Sequence, residues 1–405
     1  MKTALARASV SPPPHLRRGR MAAATLGIVA ITSSLLLTAP ASAADDDAIT
    51  RLAGADRYAT AVAVSKHAYP DQSPRSVVIA SGADFADALA ATPAARAQEG
   101  PILLTPATTL NANTRAELQR LKPESVTIVG GPGAVSWAVQ AQIKETVGTT
   151  VPVNRWYGES RYETSAKISA ETFEPGIALA FVASGVDFPD ALAAAPVAGS
   201  KGAPILLSKP DQLSISVKNE LERLKPKKIV LLGGTGAMGP ALARELAALA
   251  PEVERIGGVD RFETARLLSQ RMPQTGTEVN SETVASVFLA NGLNFPDALA
   301  AGPVAAAVNG TVLITRAGSL HSSASGAIKE LRPDQVYLVG GPGALSSGVE
   351  AGVKEAFKGY YQNCKQAVDA GKAPLTRGEP GYSQALDRDN DGSACDTEAG
   401  TAAQG

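Results

Sequence analysis

Apolar residues along this chain fall into short continuous runs of four to six, each bounded by glycine or serine. Val77 to Gly82, Phe181 to Gly185 and Val287 to Gly292 form one set. Pro101 to Thr105, Pro204 to Ser208 and Thr311 to Thr315 form a second, and Val126 to Gly131, Ile229 to Gly234 and Val336 to Gly341 a third. Such runs read as strands buried on both faces. Between them lie helical patterns such as Thr114 to Leu121. Strand alternating with helix predicts parallel sheets with right-handed crossovers.

The runs recur because the chain repeats itself. Three copies open at Arg51, Arg155 and Arg255, 104 and 100 residues apart. Each continues into an arginine followed by an aromatic residue: Arg57 and Tyr58, Arg161 and Tyr162, Arg261 and Phe262. Asn111, Ser214 and His321 hold one equivalent slot just before a helix, which predicts a cap. Copy three carries an extra stretch around Gln274 to Thr283. The expected architecture is α/β, three Rossmann-like parallel-sheet units. The short linkers favour a compact pseudo-threefold cluster over beads on a string. The expected boundaries are 50–152, 153–253 and 254–357, with a small separate module at 358–398.

Residues 1–43 stand outside that pattern. Five basic residues precede an apolar run from Met21 to Leu37 and a small-residue site at Ala41 to Ala43, the anatomy of a signal peptide. Export from the cytoplasm is the expectation. Removing the leader leaves 33 basic against 39 acidic residues, a net charge of −6, which argues against nucleic-acid binding. No later segment is long and apolar enough to span a membrane. The two cysteines, Cys364 and Cys395, read as one disulfide in an oxidising compartment.

Candidate chemistry is sparse. His67 and His321 lack ligand spacing for zinc, and no Gly-x-Ser-x-Gly elbow occurs. The expectation is a binding protein and not an enzyme. Asp84 with Asp87 and Asp187 with Asp190 read either as helix-start caps or as an acid–base pair. Copy three keeps Asp297 but has Asn294 in place of the first acid, which favours capping. Gly130 and Gly131, Gly233 and Gly234, and Gly340 and Gly341 read as tight strand-to-helix turns, or as anion sites built on backbone N–H groups. Arg57, Arg161 and Arg261 suit phosphate or carboxylate oxygens, or else an internal ion pair with the aspartate of their own copy. Three equivalent weak sites on one body would give avidity for a repeating polymer. Near the C-terminus, Asp387, Asp389 and Asp391 alternate before Gly392, with Glu398 at the twelfth loop position. That all-oxygen set points to Ca2+.

The repeated motifs, over residues 50–357, resemble the cell wall-binding repeat type 2 family. The resemblance implies a pseudo-trimer of repeats and non-covalent binding to a wall polymer, either an anionic secondary polymer or peptidoglycan. Ala86, standing where the other copies have Pro189 and Pro296, is a mild departure, as are Asn291 and Asn294. The family often accompanies an amidase domain, and two alternatives remain: a peptidoglycan hydrolase or a small-ligand-binding α/β protein. The C-terminal stretch is similar to the excalibur calcium-binding domain, which implies a ligand at Asp396, where that family has glutamate.

Overall fold

The computed structural model describes residues 48–71, 74–84, 87–271, 286–294, 296–357, 361, 363–377, 379, 381–382, 386–389 and 391–396. The leader, the stretch around Gln274 to Thr283 and Glu398 lie outside the described residues. Among the described residues no helix is long and apolar enough to cross a membrane.

The first repeat runs β1 (Ile49–Leu52), α1 (Arg57–Ala68), β2 (Ser76–Ser81), α2 (Ala91–Ala97), β3 (Ile102–Thr105), α3 (Ala112–Leu121), β4 (Ser125–Val129) and α4 (Trp137–Val147). The second repeats this order as β5 (Val153–Trp156), α5 (Arg161–Thr172), β6 (Leu179–Ser184), α6 (Pro189–Ser200), β7 (Ile205–Ser208), α7 (Ile215–Leu224), β8 (Lys228–Leu232) and α8 (Pro240–Ala247). The third follows as β9 (Glu252–Ile256), α9 (Arg261–Ser269), β10 (Ser286–Asn291), α10 (Pro296–Ala307), β11 (Thr311–Thr315), α11 (Ser322–Leu331), β12 (Gln335–Val339) and α12 (Ser347–Phe357). The apolar runs are strands, as their continuity implies, and nearly every position in them is buried. Asn111, Ser214 and His321 cap α3, α7 and α11 through side-chain acceptors, as the shared slot implies.

The strand order ties the copies into a ring. The first sheet is β3-β2-β4-β5, and the second is β7-β6-β8-β9. Each therefore takes its edge strand from the following repeat. The third sheet, β1-β12-β10-β11, takes its edge from the start of the first repeat, with Ile49 opposite Val336 and Arg51 opposite Leu338. The helices obey the same cycle: α5 packs on α2, α9 on α6, and α1 on α10.

Each sheet has two covered faces. The outer faces carry separate apolar cores under α3 and α4, α7 and α8, and α11 and α12. The inner faces share one core at the centre, where α2, α6 and α10 pack against each other. Small side chains permit that approach. A Cβ on Gly302 of α10 would lie 2.6 Å from Thr92 Oγ1 of α2. The cluster is thus compact, as the short linkers imply.

The C-terminal module consists of α13 (Cys364–Asp369) and the antiparallel pair β13 (Leu375–Thr376) and β14 (Ser393–Ala394), joined by the Cys364–Cys395 disulfide. It touches the third repeat through Arg332, which donates to the Tyr382 carbonyl at 2.6 Å.

Candidate binding junctions and metal loop

The repeated Arg–aromatic motif starts a helix in each copy. Asp56, Ser160 and Asp260 cap α1, α5 and α9. The threonine three residues past each arginine accepts a backbone N–H from the preceding loop: Thr60 from Gly54 at 3.2 Å, Thr164 from Gly158 at 3.1 Å, and Thr264 from Gly258 at 3.0 Å. The arginine turns back over its own repeat. Arg57 donates to the Gly82 carbonyl, Arg161 to Gly185 at 2.6 Å and Arg261 to Gly292 at 3.1 Å.

The aspartates come from the repeat before. Asp87 is raised above the usual carboxyl range by burial and by the nearby Asp84 charge. The Thr164 hydroxyl and Arg161 guanidinium of the second repeat oppose that rise. Burial pushes Asp190 up to about 6 against Thr264 and Arg261 of the third repeat. Asp297 is likewise pushed up to about 6, with Arg57 of the first repeat opposing. The expectation of an ion pair within one copy is therefore corrected. Arginine and aspartate meet across repeats, because each sheet's edge strand delivers the next copy's helix to the previous copy's turn.

The capping expectation also changes. Phe188, not an aspartate, holds the N-cap position of α6 and makes no side-chain cap bond. Asp187 instead pairs with Arg261 at 3.1 Å, while Asp190 sits in the first helical turn, where a helix dipole favours an acid. At the third junction Asn294 cannot supply the charge that Asp187 gives the second.

The Gly-Gly turns are seats for these aspartates. Gly130, Gly233 and Gly340 have φ of +104°, +96° and +115°, and a Cβ there would lie 2.7, 2.6 and 2.5 Å from Oδ2 of Asp87, Asp190 and Asp297. Only glycine meets both demands. In the first turn, Gly130 N–H donates to the Trp156 carbonyl at 3.0 Å and Gly131 N–H to Asp87. Both donors that an anion cradle would use are thus engaged, and a carboxylate lies on the turn. Gly131, Gly234 and Gly341 complete turns whose oxygen accepts the N–H three residues on.

The structure adds residues that the motif contained without an assigned role. Arg51, Arg155 and Arg255 donate to the carbonyls of Gly340, Gly130 and Gly233 at 2.9, 2.8 and 2.8 Å, locking each edge strand to the turn before it. Thr164 and Thr264 touch the aspartates. Their strict recurrence beside Arg161 and Arg261 was the available signal.

In the C-terminal loop, Asp387, Asp389 and Asp391 each place a carboxylate oxygen within 4.8 Å of the others. Asp387 is 2% exposed and oriented by the N–H groups of Asp391 and Gly392 and by the Tyr382 hydroxyl, whose hydrogen bond holds it below the usual range. Gly392 supplies the bend at φ +93°. Hard oxygens converging at a glycine bend fit Ca2+. Asp396 is not part of this three-acid group.

The Cell wall binding domain 2 (CWB2) family matches residues 51–140, 155–243 and 255–350, and the Excalibur calcium-binding domain matches 361–395. The chain is 28% identical over 325 residues, 80% of its length, to the N-acetylmuramoyl-L-alanine amidase LytC of Bacillus subtilis (strain 168). It is 28% identical over 336 residues, 82% of its length, to the Amidase enhancer of the same organism. It spans 62% and 44% of those two proteins. Among solved structures, Cwp6 from Clostridium difficile superposes with a TM-score of 0.69 at 30% identity, covering 76% of this chain and 48% of that one. Cwp8 from Clostridium difficile shares the fold, with a TM-score of 0.67 at 23% identity, covering 77% of this chain and 51% of that one.

Proposed function

The chain belongs to the cell wall binding domain 2 family and carries an Excalibur module, and from that premise we propose that it is an exported, non-catalytic protein held on the cell wall. The three inter-repeat junctions grip an anionic wall polymer, and the C-terminal loop binds Ca2+ through Asp387, Asp389 and Asp391. One observation carries this reading. The same arginine–aspartate junction is built three times, each time from two repeats, with Arg161 facing Asp87, Arg261 facing Asp190 and Arg57 facing Asp297. Three homologous sites on one compact ring suit a polymer with a repeating charge, because a second engagement is intramolecular once the first is made. Bound Ca2+ would offset two of the three carboxylate charges and cross-link their loop.

A second reading has one observation behind it. A carboxyl raised to about 6 at Asp190 beside the arginine-paired Asp187 is also how a general acid and its partner are tuned. Asn294 breaks that pair at the third junction, which favours binding. Zymography on purified walls separates the two, and a clearing zone would restore the hydrolase.

The direct test is co-sedimentation of the protein with purified walls, before and after acid stripping of secondary polymers. Binding that vanishes on stripping, and that weakens in Arg161→Ala and Arg261→Ala, supports the junctions as the grip. Binding unaffected by either treatment would refute it.

A further inference from the structure

The first junction is unlike the other two in what borders its turn. Trp137, the first residue of α4, is 54% exposed, and Tyr157, just beyond β5, is 41% exposed. Both rings flank the turn that seats Asp87. The Arg155 guanidinium lies 4.6 Å from the Trp137 ring centroid, and the Tyr157 ring lies 3.3 Å from where a Cβ of Gly131 would stand. Arg155 is itself fixed, at 2.8 Å from the Gly130 carbonyl and 2.8 Å from Gln140 Oε1. A cation anchored at two points and resting on the indole restricts how that ring can turn.

Lone exposed apolar residues are ordinary on protein surfaces. This pair is different on three counts. Its tryptophan is braced by Arg155, it adjoins a charged junction, and it occurs once. The positions equivalent to Trp137 are Pro240 and Ser347, and those equivalent to Tyr157 are Gly257 and Ala53. The chain has two tryptophans, and the other, Trp156, packs against the central core.

We propose that Trp137 and Tyr157 form a stacking platform for the sugar rings of a wall glycan, so that the first junction reads saccharide where the other two read charge alone. The inference rests on the wall-polymer reading above. Its chemistry is that of amphipathic rings. The axial C–H groups on one face of a pyranose carry partial positive charge, which suits the negative face of an aromatic quadrupole. Rigid Trp and Tyr rings offer that area at little entropic cost. The sugar hydroxyls then face the polar groups of the junction, Asp84 and Arg161.

The test uses the full mature chain and soluble saccharide released from purified walls by mild acid. Trp156→Phe leaves Trp137 as the sole tryptophan, and its emission should shift to shorter wavelength, saturably, as saccharide is added. Trp137→Ala should weaken wall co-sedimentation about tenfold, the scale of taking one aromatic ring away from its stacking partner, with the thermal melt unchanged. Trp137→Phe, which keeps a ring, should recover most of it. Acrylamide quenching of the wild-type protein, with and without saccharide, gives the same reading without any variant. If the wild type binds walls while Trp137→Ala and Tyr157→Ala bind equally well and the emission does not move, the platform is refuted and the junctions stand. A response to sugar-free wall peptides in place of saccharide also refutes it. A wild type that fails to bind walls at all overturns the wall-polymer reading and this inference together.

Discussion

The repeat ring and the C-terminal module are held together by different physics. In the ring, α2, α6 and α10 approach closely enough that Gly302 tolerates no side chain, and one apolar core draws on all three repeats. Among the described residues of the module the buried apolar ones are Ala367, Leu375, Tyr382, Leu386, Ala394 and Cys395, gathered around a disulfide and three acids. Buried apolar area grows with size, so a large assembly stands on hydrophobic burial while a small one needs covalent or ionic closure. Repetition lets the ring close on itself. Nothing repeats in the module, so its closure is chemical.

The largest effect should come from opening the ring. A chain beginning at Ala53 loses β1, its pairing with β12, the burial of Leu52 and the Arg51 bond to Gly340. Burial of one leucine plus the strand's hydrogen bonds amounts to roughly 4–6 kcal/mol. Urea unfolding should show that loss, with the third repeat failing first. An unchanged midpoint would mean that the β1 closure contributes little.

Reducing Cys364–Cys395 should come next. A 31-residue separation corresponds to about 3–4 kcal/mol of loop-closure entropy. The module should lose protection in hydrogen exchange while α2, α6 and α10 keep theirs. Loss of protection in both would show that the ring depends on the module and that the two are not separately held. Asp389→Ala should be milder for the fold and absolute for the ion. Calcium titration by calorimetry should become silent, and the wild-type stabilisation at a hundredfold excess over Kd, about 2.7 kcal/mol, should disappear. An unaltered titration would remove Asp389 from the ligand set.

Much of this was legible in the sequence. Continuous apolar runs announced the inner strands, and the slot of Asn111, Ser214 and His321 announced three caps. The edge strands β1, β5 and β9 were not legible, because four or five mixed residues such as Ile49 to Leu52 carry no clear period. Without them the pseudo-threefold cluster is legible but its closure is not, nor is the fact that Arg161 faces Asp87 and not the aspartate of its own repeat. Local pattern specifies an element, whereas which copy completes which sheet is settled only by long-range pairing. The calcium loop was easier to read because Asp387, Asp389 and Asp391 are close neighbours in the chain.

The gentlest test concerns protons. Burial raises Asp190 and Asp297 from 3.8 to about 6, so the fold prefers both carboxyls protonated. A group whose folded pKa is raised contributes stability that is full below the unfolded value and lost as pH rises through the folded one. These two groups therefore stabilise the ring below about pH 4 and lose that contribution by about pH 7. Asparagine mimics the protonated carboxyl without the titration. Asp190→Asn should raise stability at pH 7.5 by roughly 1–3 kcal/mol, the ceiling being a shift of about two units at 1.36 kcal/mol each, and change little at pH 4. Melting curves across that range measure it. A gain of equal size at both pH values would mean that packing, not desolvated charge, is what the substitution altered. The same protonation should favour an anionic polymer, since each junction sheds a negative charge beside Arg261 or Arg57. Wall binding by the wild type should accordingly strengthen a few-fold between pH 7.5 and pH 5, and the Asp190→Asn, Asp297→Asn double variant should bind with little pH dependence over that interval. No tightening in the wild type would detach these carboxyls from the binding surface while leaving their effect on the ring intact. Asp387 in the module offers no such lever, because its Tyr382 hydrogen bond shifts it the opposite way.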